Sequence, residues 1–276
     1  MWLDEKPLHP ALYVVGVVAI FVCVYVQYFV PLGAVEGYIV VYGIPVAIAS
    51  LIFGKQILQR AAKNNKEGFR KGLGLFSTFY LGGIFLSVIA LTIILLFSPS
   101  AEQLLQKPNP ALDVPANVAW IMIAVSFLVI GTAEEYLFRG FIYGGMLKLS
   151  KGRHWVPLAV LSAILFTSAH GYYALTYGIA SPVYIIQLLA FGIGAAFTYR
   201  ASGGNLVAIS IIHGTNDAIG FLGIATTKSI SLAAEGIFVG IGVFVGLYFI
   251  LVKKTRMKPA ENQPPQLTPP TPPPAC

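Results

Sequence analysis

The chain has 276 residues, of which 57% are hydrophobic and only 11% charged, with a mean hydropathy of +0.77. Soluble domains carry about 25% charged residues, so this composition excludes an ordinary water-soluble enzyme and points to a polytopic membrane protein. The two cysteines, Cys23 in an apolar run and Cys276 beyond a proline-rich stretch, offer no disulfide framework, zinc knuckle or thioredoxin-type pair.

In chain order, apolar runs fall near 11–30, 36–53, 73–98, 117–148, 156–173, 182–200, 205–223 and 233–252. Each approaches the ~20 helical residues that cross a hydrocarbon core of about 30 Å. The expected fold is all-α, a membrane bundle of about eight transmembrane helices. The first run follows Asp4, Glu5 and Lys6 rather than a basic cluster, and no small-residue cleavage site comes after it, so it reads as a retained helix.

The formal net charge of +7 would suit nucleic acid, but its placement assigns it to topology, and no nucleic-acid partner is expected. Lys55, Arg60, Lys63, Lys66, Arg70 and Lys71 crowd the loop between the second and third runs, which the positive-inside rule puts in the cytoplasm. Alternation then brings Lys6, Lys148, Lys151, Arg153, Arg200, Lys253, Lys254, Arg256 and Lys258 to the same side. Only Lys107 and Lys228 fall opposite. Both termini are expected in the cytoplasm. Seven prolines between Pro264 and Pro274 predict a disordered, extended tail over 259–276. Glycine pairs Gly140/Gly144, Gly236/Gly240 and Gly242/Gly246 predict close helix contacts within the bundle, and Trp2, Trp120 and Trp155, near run ends, predict interfacial anchors.

The chemistry is sought among ionisable groups inside the runs. These are Glu134, Glu135 and Arg139 in the fourth, His170 near the end of the fifth, and His213 with Asp217 in the seventh. A charge at mid-bilayer costs roughly 2.5–3.5 kcal/mol on insertion scales, so such groups are expected to meet one another away from lipid. Glu135 and Arg139 are one turn apart with the acid first, the favourable order for an ion pair. Glu134 is rotated about 100° away and lacks that partner. His213 and Asp217 share a face, and Phe166 lies one turn from His170. Counted at about 1.5 Å per residue from the basic flanks, Glu134, His170 and His213 reach a similar depth, roughly 20–26 Å.

Three motifs among these residues resemble those of the CPBP (CAAX protease and bacteriocin-processing) family of intramembrane proteases, also called the ABI or Rce-type family. Glu134-Glu135-Tyr136-Leu137-Phe138-Arg139 is similar to its Glu-Glu-x-x-x-Arg motif, Phe166-Thr167-Ser168-Ala169-His170 to Phe-x-x-x-His, and His213-Gly214-Thr215-Asn216-Asp217 to His-x-x-x-Asn/Asp. The resemblance covers about 117–223 and implies a cofactor-free, glutamate-dependent endopeptidase domain over 1–258. By that resemblance Glu134 is the general base, His170 helps to hold the water, and His213 with Asp217 supports the oxyanion. Glu135 and Arg139 orient Glu134 or grip the substrate. Asp217 departs in donor capacity from the Asn that the motif also allows, because an ionised Asp only accepts hydrogen bonds. It alternatively orients the His213 ring, as carboxylates do for other catalytic histidines. Asn216 reads as a helix-contact residue. The implied partners are the bilayer and a peptide or lipidated-protein substrate, including the C-terminal tripeptide of prenylated CaaX proteins. The expected location is the cytoplasmic membrane in a bacterium or archaeon and the endoplasmic reticulum in a eukaryote. Glu134, His170, His213 and Asp217 also contain the donor types of a hydrolytic zinc site, though there is no His-Glu-x-x-His helix. A proton-coupled transporter or an inactive membrane scaffold would be the non-enzymatic alternatives.

Overall fold

The computed structural model describes residues 7–61, 66–107, 109, 112 and 114–251. The expected 259–276 tail, the basic residues that precede it, and Trp2, Lys6 and Lys63 lie outside the described residues. Every regular element among the described residues is helical. That is one of the two solutions open to a chain whose backbone groups find no water in the hydrocarbon core.

The helices are α1 (Pro10–Val26), α2 (Glu36–Ala61), α3 (Lys66–Phe97), a short α4 (Ala101–Leu105), α5 (Ala116–Leu149), α6 (Trp155–Ala169), α7 (Tyr172–Ala180), α8 (Pro182–Ala201), α9 (Val207–Ala225) and α10 (Lys228–Leu251). Six of them, α2, α3, α5, α8, α9 and α10, are each long and apolar enough to cross a membrane. The pair α6 and α7 makes a seventh candidate, bent by 56°, and α1 is apolar but only 17 residues long.

Two boundaries differ from the sequence expectation. The basic 54–72 segment is largely helical, because α2 runs to Ala61 and α3 starts at Lys66. Glu67 and Lys71 pair at 2.8 Å across one exposed turn of α3. Arg60 is not a loop charge; it is 2% exposed, with its guanidinium 5.0 Å from the Phe53 ring. The fifth run does not continue straight to 173. The amides of His170 and Gly171 bond three residues back, to Thr167 and Ser168, at 3.0 and 3.1 Å. That tight final turn ends α6 and redirects the chain.

Two helices are widened locally. α2 adopts π geometry over Ile39–Gly43 and Ser50–Gly54, and α5 over Ser126–Ile130 and Tyr136–Tyr143. Between the two wide stretches of α5, the single turn Gly131–Glu135 remains α-helical. Such π insertions recur at functional sites and change the direction in which following side chains point.

Antiparallel packing orders the bundle. Along α3 and α8, Thr198 donates to the Gly72 carbonyl at 2.7 Å, Phe76 meets Phe191 edge to face at 5.2 Å, and Ser87 donates to the Val183 carbonyl at 2.8 Å. At the start of α1, Tyr13 donates to the Ile142 carbonyl late in α5 at 2.6 Å. Past its end, Tyr28 reaches the Ala169 carbonyl at 3.2 Å. One end of the bundle, the basic end, thus carries Tyr13, Arg60, Gly72, Lys148 and Thr198, and the opposite end carries Tyr28, Tyr38, Ser87 and Tyr184.

Glycines set one crossing that matters for the site. A methyl carbon on Gly131 of α5 would sit 2.7 Å from the Gly214 nitrogen of α9, and one on Gly214 would sit 2.8 Å from the Phe127 Cα. Backbone therefore meets backbone where α9 passes α5, as small residues allow in membranes. Gly140 and Gly144 also abut neighbours, Ile57 and Tyr199, as expected. Gly236, Gly240 and Gly242 do not: no described atom lies within 4 Å of where their side chains would be.

Candidate active site

A cavity of about 750 Å³ penetrates the bundle between α2, α5, α6, α8 and α9. Glu134, His170, His213 and Asp217 all line it, so three separate helices bring the four residues to one space. Glu135 and Arg139 are not among its lining residues; both are fully buried behind it. The Gly131–Gly214 crossing explains the convergence, since it holds His213 against the turn that bears both glutamates.

Glu134 is 8% exposed. Its Oε1 accepts a hydrogen bond from the Tyr42 hydroxyl of α2 at 3.1 Å. Among the described residues its Oε2 has no hydrogen-bond partner, and it faces two imidazoles, His213 Nε2 at 3.5 Å and His170 Nε2 at 3.7 Å. These spacings exceed a direct hydrogen bond.

The two rings are held at their other nitrogens. His170 Nδ1 lies 2.9 Å from the Phe166 carbonyl. Because a carbonyl only accepts, Nδ1 carries the hydrogen and a neutral ring turns its Nε2 lone pair to the cavity. His213 Nδ1 lies 2.8 Å from Glu135 Oε1, which also receives Arg139 Nη1 at 2.8 Å. Asp217 Oδ2 stands 3.7 Å from His213 Nε2, on the cavity side of the ring. The carboxylate that fixes the ring orientation of His213 by hydrogen bonding is thus Glu135.

Behind the site, apolar rings enclose the charge. The Arg139 guanidinium sits 4.5 Å from the centre of the Phe166 ring and 5.7 Å from that of Phe191, within cation–π range. Phe166 packs 4.6 Å from the His170 ring and Phe191 4.9 Å from that of His213. Phe191 belongs to none of the three motifs, and neither does Tyr42. Tyr42 had one legible sign, its spacing of four from Tyr38, with which it stacks at 5.8 Å. Asn216 also lines the cavity, and its Oδ1 accepts from Tyr80 of α3 at 3.1 Å. Glu235, a further acid within the eighth run, stands exposed on α10 within electrostatic range of Tyr80. Among the described residues no group of three or more His, Cys, Asp or Glu is placed to hold a metal ion.

Fold and site together define a multi-pass, all-α membrane protein with a carboxylate and two imidazoles around a cavity inside the bundle. Residues 116–219 match the family described as type II CAAX prenyl endopeptidase Rce1-like. This match spans α5 to the middle of α9, includes all three motifs, and supports membership of the CPBP, Rce-type family, a family of peptidases. Comparison with curated proteins and with solved structures gives no match.

Proposed function

We propose that the chain is a metal-free, glutamate-dependent intramembrane endopeptidase, with residues 1–258 as its catalytic domain. The observation that carries this reading is Glu134 Oε2, buried without a hydrogen-bond partner among the described residues and turned toward two imidazole nitrogens at 3.5 and 3.7 Å. A buried carboxylate oxygen without a donor is costly unless water or substrate supplies one.

In the proposed reaction a water molecule donates one hydrogen to Glu134 Oε2 and the other to the lone pair of His170 Nε2. Its own lone pair is then directed at the scissile carbonyl carbon. As the oxygen adds, Glu134 takes the proton; as the C–N bond breaks, the protonated Glu134 returns it to the departing amine. The oxyanion forms on the opposite side of the carbon. With His213 Nδ1 committed to Glu135, its Nε2 donates to that oxyanion only as an imidazolium. Glu134, Glu135 and Asp217 stand 3.5, 2.8 and 3.7 Å from its ring nitrogens. Tyr42 steadies Glu134 from the far oxygen. The cavity reaches the site at the His170 and Asp217 side chains, which keep 15% and 25% of their surface exposed.

Cleavage of membrane peptides by the purified chain, with Glu134→Gln, His170→Ala and a chelator arm in parallel, tests this. Loss of cleavage in both variants and indifference to chelation are expected. Chelator sensitivity reversed by zinc would favour a metallopeptidase, and equal cleavage by wild type and Glu134→Gln would refute the assignment.

A further inference from the structure

His170 sits where its helix stops. α6 ends at Ala169, α7 begins at Tyr172, and the two helices are bent by 56° from one another. Only His170 and Gly171 join them, so the residue that holds the water in the proposed reaction stands on a hinge rather than inside a continuous helix. Its ring is tied back to α6, with Nδ1 2.9 Å from the Phe166 carbonyl. The direction of the backbone at the break must be set by other contacts.

A break of this kind frees polar groups on both sides, because the last carbonyls of one helix and the first amides of the next have no partner within their own helix. Within the break, the amides of His170, Gly171 and Tyr173 bond to the carbonyls of Thr167, Ser168 and His170 at 3.0, 3.1 and 3.1 Å. The Ala169 carbonyl and the Tyr172 amide are met by one hydroxyl from outside. Tyr28, in the turn after α1, donates to the Ala169 carbonyl at 3.2 Å and accepts from the Tyr172 amide at 3.3 Å. A phenol can do both at once, since it carries one hydrogen and lone pairs that accept. The Tyr28 oxygen therefore ties together the two residues that bracket His170 and Gly171.

Tyr28 is itself held in place. Its amide bonds to the Tyr25 carbonyl at 3.0 Å, and the two rings lie 5.9 Å apart. Tyr25 reaches the same region in a different way, donating at 2.8 Å to the Ser168 carbonyl, which also receives the Gly171 amide. That bond fastens α1 to the end of α6 without spanning the break. Tyr42 supports Glu134 by a single hydroxyl in the same manner, and both Tyr28 and Tyr42 precede the family match over 116–219.

We propose that Tyr28 is a positioning residue of the site: its hydroxyl fixes the bend that carries His170, and through it the placement of the His170 ring before Glu134. This rests on the role given to His170 in the proposed reaction. Misplacing a reacting group by ~1 Å can cost about 10²-fold in rate, so a bond that never touches the ring still bears on turnover.

The test compares Tyr28→Phe with Tyr25→Phe in the full purified chain, each keeping its ring and losing one hydroxyl. One readout is steady-state cleavage of two quenched peptides, one ending in a farnesylated CaaX sequence and one membrane-spanning, with Glu134→Gln as the inactive reference. The other is the ring-nitrogen NMR signals of isotope-labelled histidine in detergent, with His170 assigned among the four histidines through His170→Gln. For Tyr28→Phe, kcat is expected to fall about ten- to a hundredfold with KM little changed. The two His170 nitrogens, one protonated and one bare in the wild type, should move toward a common value while those of His213 hold still. Tyr25→Phe should leave both readouts close to wild type. Unmoved His170 signals overturn the proposal, as does a change in KM alone, which would make Tyr28 a direct substrate contact. Equal effects of the two variants overturn it as well, since they would report only a looser α1. If neither peptide is cut, or Glu134→Gln cuts as fast as wild type, the endopeptidase reading falls by itself, and the ring signals still decide whether Tyr28 places His170.

Discussion

Glu134 and Glu135 are neighbours in sequence and chemically identical, yet one turn of α5 places them in opposite surroundings. On the cavity wall, Glu134 is bound through one oxygen by Tyr42 and leaves the other free before two imidazoles. On the buried rear, Glu135 is 0% exposed, and a single oxygen receives both Arg139 and His213. Each glutamate keeps one oxygen without a hydrogen-bond partner among the described residues; what separates them is surroundings, since Glu134 lines the cavity while Glu135 is closed in behind it against Arg139. The rear pair also reaches the cavity indirectly, because Glu135 grips the ring whose far nitrogen faces Glu134.

If that division holds, substitutions on the two faces fail differently. Glu134→Gln keeps the shape and the Tyr42 contact but removes the proton acceptor. Cleavage should fall by roughly 10²–10⁴-fold, the usual contribution of a general base, while unfolding in detergent stays close to wild type. Arg139→Met should do the reverse: leaving Glu135 buried without its cation costs about 3–5 kcal/mol, read as a lower midpoint in detergent-based unfolding. A variant that unfolds normally but loses only activity would show that Arg139 serves the reaction directly.

Tyr42→Phe is the finer probe of the cavity face. A hydrogen bond to a charged group is worth about 1.5–3 kcal/mol, so turnover should fall by about ten- to a hundredfold with stability little changed. Unaltered turnover would mean that the 3.1 Å contact is incidental to the reaction.

What the sequence made legible follows from periodicity and cost. Apolar runs near 20 residues, and the price of charge in lipid, are enough to read an all-α bundle and to pick out Glu134, His170 and His213 as residues that should meet. The motif order adds the family resemblance. Four features were not legible. The π stretches of α5 carry no local residue signal that marks them. The bend at His170 arises from tight backbone bonds at the end of α6, where apolarity continues past the break. Tyr42 and Phe191 are tyrosine and phenylalanine in apolar runs, where aromatics are ordinary, and only the tertiary fold gives them a polar neighbour. The burial of Glu135 and Arg139 away from the cavity was likewise hidden, because helix phase separates the two acids but does not say which of them faces the open space.

Asp217 offers the smallest expected effect and the sharpest distinction between its two possible duties. Its Oδ2 is 3.7 Å from His213 Nε2, beyond hydrogen-bonding distance, and the ring is already oriented at Nδ1 by Glu135. In the proposed reaction Asp217 therefore acts on His213 through charge, from an edge of the cavity where a quarter of its side chain is exposed. Asp217→Asn trades that charge for an amide that can itself donate to an oxyanion. The two changes oppose each other, so turnover should move by less than about fivefold, within ~1 kcal/mol, and its dependence on pH should shift as the imidazolium loses one carboxylate neighbour. A loss as large as that of Glu134→Gln would instead make Asp217 indispensable to the state of His213. The division between an active front and a supporting rear would then run through α9 as well as through α5.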